Sequence, residues 1–150
     1  MTQVLFFHNA AEKVGAACQL AQAAWEARRS LIIYTPRGQL AEAINRQLWT
    51  RPNTGFIPHC MADSDLASET PLLLDGNLEQ PAQCERLLNL ADDTPPDFQR
   101  FTLVVETVIN EAMDRQKARQ RARDYKSSGC EVEFVDLHQT SAAQSAALWL

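Results

Sequence analysis

Residues 101–137 read FTLVVETVINEAMDRQKARQRARDYKSSGCEVEFVDL. FTLVVETV (101–108) is a β-branched, apolar run, the pattern of a buried strand. Residues 110–128 contain neither glycine nor proline and are rich in helix-forming side chains, which predicts a long helix. The SSG that follows suits a C-cap. EVEFVDL (131–137) spaces Val132, Phe134 and Leu137 loosely enough for a last strand near a sheet edge. Strand, helix, strand is the unit that joins parallel strands, because such a pair needs a crossover rather than a hairpin.

The same alternation extends towards the N-terminus. QVLFFHN (3–9) predicts a first, central strand ended by Asn9. Residues 10–29 predict a helix in which Val14, Cys18, Ala21 and Trp25 share one face. SLIIYT (30–35) is a buried strand, PRG turns the chain, and a second helix over roughly 39–50 sets Leu40, Ile44 and Leu48 on one side. TPLLLDG (70–76) is a third strand. RLLNLA (86–91) fits a strand or a helical turn, and DDTPPDFQR is a loop. The expected fold is α/β, a single domain over residues 1–150 with a mostly parallel sheet.

Composition narrows the function classes. The chain has 150 residues, 45% hydrophobic and 22% charged, ordinary for a globular protein. No apolar run approaches the ~20 residues of a membrane span. The opening MTQVLFFHNAAEK has no basic n-region, so no secretory signal is expected and the cytoplasm is the expected compartment. Cys18, Cys60, Cys84 and Cys130 form no CxxC pair, and His8, His59 and His138 are scattered, so reduced thiols and no metal are expected. The first strand-to-helix turn, FFHNAAEKVG, has no glycine before Gly15, and neither GxGxxG nor GxxxxGK[ST] occurs. A nucleotide cofactor is therefore not expected, and no GxSxG elbow or other catalytic constellation can be assembled.

The charge is unevenly distributed. Between Arg115 and Lys126 six basic side chains face one aspartate, a local +5 in a chain of net −5, so the remainder carries −10. At 100° per residue Arg115, Arg119, Arg123 and Lys126 fall within about 80° of one another. Ala118, Ala122 and Tyr125 occupy the neighbouring arc, suited to docking on the sheet, while Lys117 and Arg121 point elsewhere. The stripe is either a solvated face or a site for an anion, nucleic-acid backbone or acidic peptide. A second feature is LWTRPNTGFIPH (48–59), where Trp49 and Phe56 stand among Pro52, Gly55 and Pro58. These aromatics either plug the core or are held out for a partner.

Together LWTRPNTGFIPH and ARQRARDYKSSG, in this order behind an HN-containing first strand, resemble the chi subunit of the bacterial DNA polymerase III clamp-loader complex, over nearly the whole chain. The resemblance implies a three-layer Rossmann-like fold with a degenerate nucleotide site. It implies a non-catalytic bridge between the psi subunit of the clamp loader and the acidic C-terminal tail of the single-stranded-DNA-binding protein, so that association with DNA is indirect and no cofactor is used. Trp49, Pro52 and Phe56 would face psi. Arg115, Arg119, Arg123, Tyr125 and Lys126 would meet the tail. Ala122 stands where the family often has an aromatic, one apolar contact fewer for the tail's terminal phenylalanine. The competing readings are a small α/β enzyme that clamps a phosphorylated substrate with the basic helix, and a direct single-stranded-DNA binder, which would need aromatics interleaved with the cations.

Overall fold

A computed structural model describes residues 2–36, 38–50, 59–61, 72–75, 78 and 85–137. Among the described residues seven strands form one sheet: β1 (Gln3–Ala10), β2 (Leu31–Tyr34), β3 (His59–Met61), β4 (Leu72–Asp75), β5 (Arg86–Asn89), β6 (Leu103–Ile109) and β7 (Glu131–Asp136). Their spatial order is β3-β4-β2-β5-β6-β1-β7, and every pairing is parallel. The helices are α1 (Lys13–Glu26), α2 (Gly38–Thr50) and α3 (Ala112–Ser127).

Side-chain alternation along the strands builds the layers. Leu5, Phe7, Leu31, Ile33, Leu88 and Val105 point to one face, where Ala17, Cys18, Ala21 and Ala24 of α1 and Ile44 and Leu48 of α2 cover them. Val4, Phe6, Ile32, Leu87 and Val104 point to the other, beneath Ala118, Ala122 and Tyr125 of α3. Both faces of the sheet are thus buried, which is why the strands read as continuous apolar runs. The result is the expected three-layer, Rossmann-like α/β architecture.

Several details differ from the sequence expectation. β1 is not central but sixth of seven, between β6 and the edge strand β7. The middle of the sheet is β5, the run left between strand and helical turn. β3 was not anticipated, being three residues long directly after Pro58. Asn9 does not end β1; it takes a left-handed φ of 64° at a bulge and donates from Nδ2 to Asp136 Oδ1 at 2.8 Å, tying β1 to β7.

Helix α3 ends on glycine for a geometric reason. Gly129 has φ +85°. Its N–H donates to Lys126 O and that of Cys130 to Tyr125 O, each at 3.1 Å, the paired bonds of a Schellman cap. This turn sends the chain directly into β7, so the last turn of α3 and the first residues of β7 are held side by side.

Candidate functional site

The cations of α3 divide into two sets. Arg121 is buried, 1% exposed, and its Nε donates to Glu106 Oε1 at 3.0 Å while Nη1 donates to Asp92 O at 2.8 Å. Lys117 pairs with Asp92 at 3.3 Å. Arg115, Arg119, Arg123 and Lys126 are exposed on the opposite arc. Among the described residues none of these four meets a carboxylate; Arg123 reaches only Gln120 Oε1, at 3.2 Å. The sequence expectation of one cationic stripe, with Lys117 and Arg121 off it, is what the helix presents.

These four cations line a cleft of about 350 Å³ between α3 and the strands β1, β6 and β7. Its remaining walls are Phe6, His8, Val108, Ala118, Ala122 and Phe134. Ala118 and Ala122 are small enough for α3 to lie close to the sheet, and their size leaves the cleft open above Phe134. The Phe134 ring is 55% exposed, stacks on Phe6 with centroids 5.3 Å apart, and lies 5.7 Å from Lys126 Nζ. The site therefore combines an unneutralised guanidinium row with an aromatic floor. Such a surface fits a ligand that is both anionic and apolar.

Tyr125 requires a correction. It is fully buried, with Phe98 and Phe6 at 4.9 and 6.0 Å, and its hydroxyl donates to Glu106 Oε2. Burial, then the neighbouring Glu106 carboxyl, push its pKa well above 10.0, so it remains a proton donor. Its ring holds α3 to the sheet and offers no surface to a partner. Phe134 was missed as a site residue, because the loose spacing of Val132, Phe134 and Leu137 marks an edge strand but does not say which side chains stay exposed. The exposed ring is a consequence of the small residues on the helix above it.

Trp49 sits in the last turn of α2; Pro52 and Phe56 lie outside the described residues. The crevice at the C-terminal ends of the strands, where α/β folds commonly hold nucleotides, is also occupied by the protein's own charges. This space of about 710 Å³ is lined by Lys13, Asp92, Glu111, Asp114 and Lys117 among others. Lys13 pairs with Asp114 at 3.2 Å, and Asp114 Oδ2 accepts the Ile109 N–H at 2.9 Å. An incoming phosphate would meet carboxylates there and find both lysines engaged.

The family model described as "DNA polymerase III chi subunit, HolC" matches residues 1–133. A protein named DNA polymerase III subunit chi from Pseudomonas aeruginosa is 30% identical over 135 residues, 86% of this chain and 92% of that protein. Proteins of the same name from Haemophilus influenzae and Escherichia coli are 25% and 26% identical, each over 75% of this chain and covering 79% and 77% of their own lengths.

Proposed function

The chain belongs to the DNA polymerase III chi subunit family, and from that premise we propose that it is a non-catalytic tether of the replicative polymerase complex. One surface, around Trp49, Pro52 and Phe56, holds the psi subunit of the clamp loader. The cleft beneath α3 takes the acidic C-terminal tail of the single-stranded-DNA-binding protein. The protein works in the cytoplasm, reaches DNA through these partners and takes no part in nucleotidyl transfer. Among its described residues no helix is long and apolar enough to cross a membrane.

The observation that carries this reading is the row of exposed, uncompensated cations beside an apolar floor. A disordered acidic tail with an apolar last residue and a free carboxylate satisfies both halves. A folded polyanion does not, because the acidic remainder of the chain repels it. The contact is small, so single-tail affinity is on the order of micromolar. Several tails on one coat raise the effective concentration.

The test is fluorescence anisotropy with a labelled acidic tail peptide. Arg119→Ala is expected to weaken binding about tenfold, the scale of one charged hydrogen bond. Raising the salt is expected to weaken wild-type binding steeply. Equal affinity at low and high salt would remove the arginines from the site.

A further inference from the structure

Parallel sheets are normally covered on both faces, and β6 follows that rule, buried from Leu103 to Val108. The outermost strand β7 does not. Glu131, Glu133 and Phe134 are exposed, and Val132 and Val135 are half-buried. Among the described residues β7 pairs with β1 alone. Every second N–H and C=O along its outer edge is therefore turned away from the sheet, a template for another strand. Glu131 and Glu133 stand in register with Gln3 and Leu5, on the face that α1 and α2 cover further in. Neither carboxylate meets a cation among the described residues. Val132 and Phe134 stand in register with Val4 and Phe6, on the opposite face. The edge thus presents acid on one face and apolar side chains on the other.

We propose that the outer edge of β7 is a docking surface that takes an extended segment of a protein partner as an added strand. The segment alternates basic and apolar residues. Its Lys or Arg side chains lie beside Glu131 and Glu133, and its apolar side chains continue the surface of Val132 and Phe134. Main-chain hydrogen bonds supply affinity, and the alternation supplies selectivity. A second copy of this chain is the wrong occupant. Two β7 edges paired about a two-fold axis would set the Glu131 and Glu133 carboxylates against one another. The same carboxylates repel nucleic acid. This surface is separate from the cleft, which opens above the sheet under α3, whereas the added strand lies in the plane of the sheet.

The experiment titrates the full chain with three seven-residue peptides of equal charge, read by calorimetry and by amide exchange. The first alternates Lys and Val, beginning and ending on Lys. The second has the same composition with its Lys and Val in blocks. The third is the alternating peptide with its central Val replaced by Pro, which removes a ladder donor. The alternating peptide is expected to bind about tenfold more tightly than the other two and to slow exchange of the β7 amides. The double variant Glu131→Lys, Glu133→Lys should lose this peptide and prefer its Glu–Val counterpart by a similar factor. Arg119→Ala, which alters the cationic row, should leave the Lys–Val affinity unchanged. Equal binding of all three peptides would mean that the carboxylates attract cations without a strand being added, and would overturn the proposal. So would a double variant that does not exchange its preference, or a wild type that binds none of the peptides. A changed affinity in Arg119→Ala would move the peptide to the cleft and also overturn it. None of these results touches the tail reading, whose own test uses an acidic peptide.

Discussion

Two arginines two positions apart on α3 do opposite work. Arg119 is exposed over the cleft, whereas Arg121 is sealed against Glu106, whose carboxyl also accepts from Tyr125 and, at 2.9 Å, from Asn89 Nδ2. Removing one partner of a buried pair leaves an uncompensated charge, so Arg121→Ala is expected to lower stability by about 3–5 kcal/mol. Arg119→Ala, at the surface, should stay within about 0.5 kcal/mol. Urea unfolding of the two variants checks the contrast, and equal stabilities would refute the assigned roles. Glu106 adds a pH signature. Burial pushes its carboxyl above the ordinary 4.5, and Arg121, then Tyr125 and Asn89, offset this only in part. The folded state therefore holds the proton more tightly than the unfolded one. The stability that Glu106 contributes is largest below pH 4.5 and declines as pH rises through its raised folded value. Glu106→Gln does not titrate, so the wild-type stability minus that of Glu106→Gln should fall with increasing pH in this window. A difference that grew instead would mean that the guanidinium outweighs burial. The sequence carried a trace of this network, a lone glutamate inside FTLVVETV, but spacing along α3 could only say that Arg121 leaves the stripe, not what receives it.

The elements were legible where their pattern was long, and illegible where neighbours decided. Val14, Cys18, Ala21 and Trp25 do share the packed face of α1, and Ile44 and Leu48 that of α2, because each stripe extends over several turns. RLLNLA was ambiguous because a short apolar run suits a buried strand and a helical turn equally. Its place between β2 and β6 resolves it, with Leu87 and Leu88 buried on opposite faces. HCM offered no period at all, and its pairing with β4 is a fact of tertiary structure. The turn from α3 to β7 was readable as SSG, since the left-handed conformation of Gly129 is one that a side chain resists. Space is open around a Cβ at this position, so the effect of Gly129→Ala is purely conformational. A loss of about 1–2 kcal/mol is expected, read by chemical denaturation. Because this cap sets Lys126 beside Phe134, weaker tail binding should accompany it. An alanine variant as stable as the wild type would show that the cap does not constrain the turn.

At the scale of the whole molecule, the proposed tether needs two surfaces that do not obstruct each other. The cleft is built on β1, β6 and β7, at one end of the strand order. Trp49 closes α2, and the chain next enters the described sheet at His59 in β3, at the other end. Seven strands place these edges six spacings apart, roughly 29 Å at about 4.8 Å each. Partners held at opposite edges would be separated by more than the Debye length of about 8 Å at physiological salt, and their charges largely screened from one another. The sheet between them is close-packed on both faces, and no described element spans both edges as a hinge. The two partners should therefore bind additively. With psi at saturation, the dissociation constant for the tail peptide is expected to change less than twofold, and the psi affinity should be equally indifferent to the tail. Calorimetric titration of the tail into the isolated protein and into its psi complex measures this. A tenfold change in either direction would mean that the sheet transmits a conformational change between its edges, and a passive tether would no longer describe the molecule.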